Sequence, residues 1–356
     1  MSQSTSTDLT FRHTGEPSGI FAPLSKIEED IISVLKRDVR MPIKSVAQIV
    51  DVSAVHASRI LNRMIESGRA WPMYQHACRS ADTVMAFIDI SCTPQEIDDV
   101  RDRLVRHPYV LTVEAISQGR DFIATVVAPS LTVLMNEVIT PLNRWPGVVE
   151  SNLRIVTKLH RATYQWITSS LNKHQEAILE RELKALPTID PNFGHLTQIE
   201  LDVLKLLMAD PRITASEISR ELDLSPSTAL RTIHRLRRQE QYVPRFVINP
   251  TLTATPFIVH WFVTVPPRNL DASVEALQNL QHVRIVASIT GRANMVVIVD
   301  VAELGDIPLV ERQMMALIPN IFIAESVVAL YTVKRWGWPT TSTGHRLPNY
   351  ISPPVW

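Results

Sequence analysis

Net charge is what this 356-residue chain lacks first: Lys and Arg together number 36, and so do Asp and Glu. Any contact with a polyanion must therefore come from a local patch rather than from the whole molecule. Cysteine is also scarce. Cys78 and Cys92 are the two, and their spacing is not that of a Cys-x-x-Cys pair. Neither a zinc site nor a disulfide framework is expected, and two such thiols fit a reducing compartment. No run of 18 apolar residues occurs, so no membrane-spanning helix is expected. The opening "MSQSTSTDLTFRHTGEPSG" has no basic start followed by an apolar core, so it does not read as a secretion leader. A disordered lead-in over 1–22 and a cytoplasmic location are expected instead. There is no glycine-rich phosphate loop and no nucleophile elbow. The eleven histidines are scattered without an i, i+4 ligand pair on one helix face. No catalytic residue, metal or cofactor is expected.

What the chain does contain is itself, twice. "LSKIEEDIISVLKRDVRMPIKSVAQIVDVSAVHASRILNRM", from Leu24, aligns without a gap on "LTQIELDVLKLLMADPRITASEISRELDLSPSTALRTIHRL", from Leu196, at a constant offset of 172. Identities include Asp38 with Asp210, Arg40 with Arg212, Asp51 with Asp223, Ser53 with Ser225, Arg59 with Arg231 and Arg63 with Arg235. A duplication is the simplest account. Apolar spacing predicts three helices in each copy: 24–37, 43–50 and 53–67, then 196–209, 214–222 and 225–240. Ser53 and Ser225 are predicted N-caps. Asp51 and Asp223 fall at the bend before the third helix, where a left-handed residue is needed, and Asp tolerates that conformation. Pro226 sits at a first turn, where its missing N–H is harmless.

The third helix of each copy is two-faced. Ala229, Ile233 and Leu236 point one way, and Ser227, Thr228, Arg231, His234, Arg235 and Arg238 the other. In the first copy Ala57, Ile60, Leu61 and Met64 oppose Val55, His56, Arg59, Asn62 and Arg63. A basic, donor-rich outward face following a cap and a bend is what reading double-stranded DNA requires. Arginine pairs with guanine edges or phosphates, and short hydroxyls near the helix start, Ser53 and Ser225 included, contact the backbone. Arginine count ranks the second copy higher: Arg231, Arg235, Arg237, Arg238 and Arg245 against Glu240, compared with Arg59, Arg63, Arg69 and Arg79 against Glu66. The extended stretches "RAWPMYQ" and "YVPRFVINP" follow, each placed to form a wing.

Residues 83–160 alternate strand, helix, strand, strand, helix, strand, and residues 256–334 repeat that order. Each set is expected to form a ferredoxin-like antiparallel sheet with two helices on one face. The open sheet face needs a cover, and a second sheet is the common one. The expected class is therefore α+β, two tandem units of a winged helix-turn-helix followed by a ferredoxin-like domain. The expected divisions are 23–80 and 81–161 for the first unit, a partly helical linker over 162–194, 195–250 and 251–338 for the second unit, and an irregular tail over 339–356. The three tryptophans of the stretch "WGWPTTSTGHRLPNYISPPVW" suggest that parts of it pack onto something.

Motif, order and spacing together resemble the Lrp/AsnC family of transcriptional regulators, over about residues 24–338. The resemblance implies DNA binding through the helical units. It also implies a small effector, usually an amino acid, at the ferredoxin-like domains. The family's Leu-Ser-Pro start is present as Leu224, Ser225 and Pro226, and reads Val52, Ser53, Ala54 in the first copy. The second arginine of its Arg-Val-x-Arg-Leu run is kept as Arg235 and Arg63. The first is replaced by Thr232 and Ile60, with Arg231 and Arg59 one position earlier. The family's effector loop corresponds to "QGRD", with Gly119, Arg120 and Asp121, and to "TGRAN", with Gly291, Arg292 and Asn294. An arginine there suits a carboxylate, and a plain hairpin turn accounts for the glycines equally well. Assembly is expected as a homo-oligomer or as an intrachain pseudo-dimer of the two cores. Sirohaem decarboxylases resemble the same architecture. The His-Asn-Tyr-Arg run that they carry does not occur here, and the corresponding strands read "VRIVASIT" and "ANMVVIV".

Overall fold

The computed structural model describes residues 23–78, 83–162, 170–184, 186–190, 193–239, 241–280 and 282–356. The expected lead-in, Arg79, Glu240 and residues 163–169 of the linker lie outside the described residues. Along the chain run α1 (Lys26–Arg37), α2 (Ile43–Val50), α3 (Ala54–Glu66), β1 (Ala70–His76), β2 (Val84–Cys92), α4 (Ile97–Arg106), β3 (Val110–Ile116) and β4 (Phe122–Ala128). A helical run follows in which a π turn, Leu134–Ile139, joins α5 (Leu131–Val133) to α6 (Thr140–Leu142). Then come β5 (Val148–Arg161), α7 (Lys173–Leu183), α8 (Gln198–Ala209), α9 (Ala215–Leu222), α10 (Pro226–Leu236) and β6 (Tyr242–Ile248). The chain finishes with β7 (Phe257–Thr264), α11 (Leu270–Gln278), β8 (Val283–Ile289), β9 (Met295–Val301), α12 (Ile307–Leu317), β10 (Phe322–Arg335) and β11 (Trp338–Pro339).

Local chemistry sets the helix ends. Capping boxes, Ser25 with Glu28 and Thr197 with Glu200, start α1 and α8 by satisfying orphan N–H groups. The helix-turn-helix bends fall where the sequence puts them. Asp51 and Asp223 close α2 and α9 in the left-handed region, at φ 57° and 51°. Ser53 and Ser225 then cap α3 and α10 by accepting the His56 and Thr228 N–H groups, and Pro226 holds the first turn of α10. The two helical units bury separate apolar cores, one around Ile31, Leu35, Ile49 and Leu61, the other around Leu204, Leu207, Ile218 and Ile233.

The eight long strands from β2 to β10 close into one barrel. β3-β4-β2-β5 are neighbours, and so are β8-β9-β7-β10. β5 pairs with β8, Val156 opposite Ile289, and β10 pairs with β3, Tyr331 opposite Ala115. The expected cover for each open sheet face is therefore present, and the sheets also bond edge to edge, which leaves the ring without unpaired edge strands. Helices α4 to α6 cover one outer side through Val100, Leu104, Val138 and Leu142. Helices α11 and α12 cover the other through Leu277, Val310 and Met314. The inside is filled by Phe87, Ile123, Phe262, Val296, Ile298 and Val327.

The stretches expected as wings do something else. β1 and β6 are extended, but they pair with each other, Ala70 opposite Ile248 through His76 opposite Tyr242. Each finds its hydrogen-bond partner across the molecule, while Ala70 still packs into the first helical core and Tyr242 into the second. Beside this ribbon the helical units grip each other reciprocally. Arg40 Nη1 and Nη2 donate to the Pro211 and Ile213 carbonyls at 2.5 and 2.8 Å. Arg212 Nη1 donates to the Val39 carbonyl at 2.5 Å and Nη2 to that of Met41 at 3.2 Å. Arg237 adds an ion pair to Asp38 at 3.0 Å. The tail is anchored. Trp338 packs with Trp71 and Met73, the Arg346 N–H donates to the Gly68 carbonyl at 3.0 Å, and the Trp356 ring lies 5.2 Å from that of His76. Gly68, at φ +68°, leaves no room for a side chain, since a Cβ there would stand 2.4 Å from the Arg346 oxygen.

Two outcomes follow. Arg40→Ala and Arg212→Ala should each lower stability by about 1–3 kcal/mol in urea titrations, since each strands carbonyls in the seam. The double variant should cost less than the sum, because the two grips share that seam; full additivity would mean that they act independently. The second outcome concerns pH. Burial pushes the His76 pKa down to about 4, below its unfolded value near 6.5. Its contribution is full above that value and is lost as pH falls from there towards 4, since the unfolded chain binds the proton first. Between pH 7 and pH 4 the wild type should lose roughly 3 kcal/mol more than His76→Gln does; parallel pH profiles would refute this.

Candidate nucleic-acid interface and ligand loops

Both third helices present the faces read from the sequence. On α3, Arg59, Asn62 and Arg63 are exposed and His56 is half-buried. Arg59, Asn62 and Arg63 line a shallow, open hollow with Val55, Ser58 and Glu66. On α10, Ser227, Arg231, His234 and Arg235 are exposed and Thr228 is half-buried; Arg238, just past the helix end, is exposed too. Ser53 and Ser225 are exposed but already employed as caps, and the Ser225 hydroxyl also lies 3.0 Å from that of Ser227 and 2.8 Å from that of Thr228. Two apolar side chains join these faces. Val55 is 81% exposed and Leu230 50%. An apolar group on such a face suits a thymine methyl. Leu230 was missed because helical spacing places it near the edge of the apolar stripe.

Arginine count and carboxylate pairing rank the two helices differently. In the second unit Arg235 is paired with Glu200 and lies over the Phe193 ring, Arg237 is paired with Asp38, and Arg238 lies 3.5 Å from Asp190. Of the α10 arginines only Arg231 has no carboxylate partner among the described residues. On α3 both Arg59 and Arg63 lack one; Arg59 contacts the His56 ring nitrogen at 3.0 Å. Among the described residues, α3 thus offers Arg59 and Arg63 without a carboxylate partner, where α10 offers Arg231. Tertiary contacts bring Asp38 and Asp190 to Arg237 and Arg238, and a helix pattern cannot foresee them. Glu200 itself is held below the ordinary carboxyl range: burial opposes its charge, but the Thr197 N–H and hydroxyl and Arg235 outweigh that.

The two loops differ. Arg120 is paired with Asp89 and with Glu325, Arg154 is also paired with Asp89, and both guanidinium groups face the Phe262 ring. The Arg120 guanidinium is thus already taken up by carboxylates. Asp121 accepts the Cys92 N–H at 2.6 Å. In the other loop Asn294 is tied to the end of β7, accepting the Val265 N–H at 2.9 Å and donating to its carbonyl at 2.7 Å. Gly291 and Arg292 are exposed. Gly119 takes φ +69° and Gly291 φ +120°, so both serve the turns. Among the described residues no cluster of His, Cys, Asp or Glu could hold a metal, and no helix is long and apolar enough to cross a membrane.

Residues 196–240 match the winged helix-turn-helix DNA-binding pattern, and residues 85–166 match the Lrp/AsnC ligand binding domain. An uncharacterised HTH-type transcriptional regulator of Pyrococcus abyssi (strain GE5 / Orsay) is 30% identical over 145 residues, which is 40% of this chain and 90% of that protein. A second one, from Pyrococcus horikoshii, is 29% identical over 151 residues, 40% of this chain and 94% of that protein. Among solved structures, the siroheme decarboxylase NirDL in co-complex with an iron-uroporphyrin III analogue is similar over 87% of this chain and 93% of that chain. Its TM-score is 0.55 at 13% identity, so the likeness is one of fold alone.

The two loop arginines should behave unlike each other. Arg120→Ala leaves carboxylates short of a partner and should cost about 3–5 kcal/mol in urea denaturation. Arg292→Ala should stay within about 0.5 kcal/mol. Equal costs would show that the buried network is not holding Arg120.

Proposed function

Because the chain belongs to the Lrp/AsnC family of transcriptional regulators, we propose that it is a sequence-specific DNA-binding regulator that carries two copies of the family unit. In this reading residues 23–161 and 195–338 are the copies, the barrel is their intrachain pseudo-dimer interface, and α3 and α10 are two unlike recognition helices. One observation carries the proposal: two outward, basic helix faces stand on a single frame, fixed by the β1–β6 ribbon and the Arg40–Arg212 grip. The alignment lengths support it, since about nine-tenths of each curated relative covers only 40% of this chain. Unlike heads call for an asymmetric operator rather than a palindrome. An effector, an amino acid or another small metabolite, belongs at the barrel loops 119–121 and 291–294, the second being the more open.

A second reading is favoured by the fold likeness to NirDL over most of the chain: an enzyme acting on a tetrapyrrole. Titration of the full chain with iron-uroporphyrin III, followed by absorbance, separates the two readings.

The regulator reading is tested by binding to DNA from the neighbouring promoters across a salt series. Arg59→Ala with Arg63→Ala should weaken binding and lower the salt slope by about 1–2. Arg231→Ala should weaken it comparably, and Arg235→Ala less, since Glu200 already holds that side chain. Absence of specific binding by the unmodified protein would reject the regulator reading.

A further inference from the structure

Two clusters of charged side chains enter the barrel. The first, Asp89 with Arg120, Arg154 and Glu325, is a closed set of ion pairs. The second is not closed. His260 Nε2 lies 2.9 Å from Glu114 Oε2, and Arg284 Nη1 lies 3.1 Å from Asp300 Oδ1, so each carboxylate already has a nitrogen neighbour. Arg335 is left over. Its Nη1 is buried with no hydrogen-bond partner, and among the described residues no ion pair reaches it. A buried guanidinium N–H without an acceptor is costly, and native structures rarely leave one so.

Two cavities meet at this side chain, with Arg284 and Trp336 common to both. One, of about 50 Å³, runs into the barrel past the hydroxyl-bearing Thr112, Thr125 and Thr332. The other, of about 80 Å³, opens towards α1 and the ribbon, with Lys36 and Arg245 on its wall and Met73 and Phe246 as apolar floor. Among the described residues that line the joined space, Lys36, Arg245, Arg284 and Arg335 face Glu114 and Asp300. The cations also crowd one another. Burial, together with Arg284, pushes the Arg335 pKa down to about 9, and burial and Arg245 push that of Lys36 down to about 8.

The cluster occurs once, although the barrel has two matching halves. Strand registers pair Val84 with Ala128 and Phe257 with Val301. By that correspondence Phe87, Leu111 and Val127 stand where the second half has His260, Arg284 and Asp300. The last residue of β5, Arg161, donates to the Gln278 carbonyl; Arg335, the last of β10, has no such acceptor. Symmetry of the fold therefore does not account for the group.

We propose that this cleft is a binding site for a small oxyanion, a carboxylate or a phosphate group, received by Arg335 with Lys36 and Arg245 at its mouth. The threonine hydroxyls offer further donors to its oxygens, and the apolar floor accepts a short aliphatic body. The anion supplies the missing acceptor and relieves the repulsion among the cations. None of these residues belongs to loops 119–121 or 291–294. The walls come from α1, from the ribbon and from the barrel, so an occupant bridges the first helical unit to the core.

The test uses the full chain in a low-anion buffer, with thermal unfolding and calorimetric titration against inorganic phosphate and against isovalerate. Sodium chloride at matched ionic strength is the control. A saturable rise in Tm with either oxyanion, absent with chloride, is expected. Response to phosphate alone assigns a phosphate-bearing ligand, and response to isovalerate alone a carboxylate. Arg335→Gln should weaken binding roughly tenfold or more. Lys36→Gln, at the mouth, should weaken it less, and it carries the test if Arg335→Gln does not fold. No saturable response by the wild type, or an unchanged response in the variants, overturns the proposal. DNA binding does not enter the readout, so this result stands apart from the regulator reading.

Discussion

Everything in this molecule hangs on the closure of the barrel. Four strands of one half present two edges, and the four strands of the other half present the same two. β5 with β8 and β10 with β3 satisfy all four at once. An open edge is a row of unpaired donors and acceptors. Closure removes it and at the same time buries the apolar face of each sheet against the other. With both outer faces under helices, β4 and β9 are buried along their whole length. The core then fixes where the helical units can stand.

Their placement is refined by backbone hydrogen bonds and by two arginines. β1 and β6 pair with each other, which ties the exit of α3 to the exit of α10. Arg40 and Arg212 each cap carbonyls of the opposite unit, and a guanidinium suits that task because its planar fork reaches two acceptors at once. The outward faces of α3 and α10 are thus carried on a frame with few soft joints. The tail adds to it, since its tryptophans and Arg346 lie against the ribbon and Gly68.

Charge follows the same logic of pairing. A chain with no net charge still leaves particular cations uncompensated, and where it does so is a matter of tertiary neighbours. Arg235, Arg237 and Arg238 lose their freedom to Glu200, Asp38 and Asp190. Arg120 is spent on Asp89 and Glu325, while among the described residues no ion pair reaches Arg335. Counting arginines along a helix gives the sign of its surface but not which of them are available to a ligand.

The sequence by itself determined the local structure. Asp51, Asp223, Ser53, Ser225 and Pro226 act through their own backbone and that of residues a few places away, so their effect was legible without a fold. The strand and helix order of the two core segments was legible too, because side-chain periodicity reports which face is buried. The identity of Arg40 with Arg212 was visible at the constant offset, but its purpose was not, since the acceptors lie on the other copy. Tertiary structure alone decided that the presumptive wings pair with each other, which arginines stay unpaired, and where the buried charge of Arg284, Asp300 and Arg335 collects. Each of these depends on contacts between different elements, from 16 to about 200 positions apart, and local pattern carries no record of such neighbours.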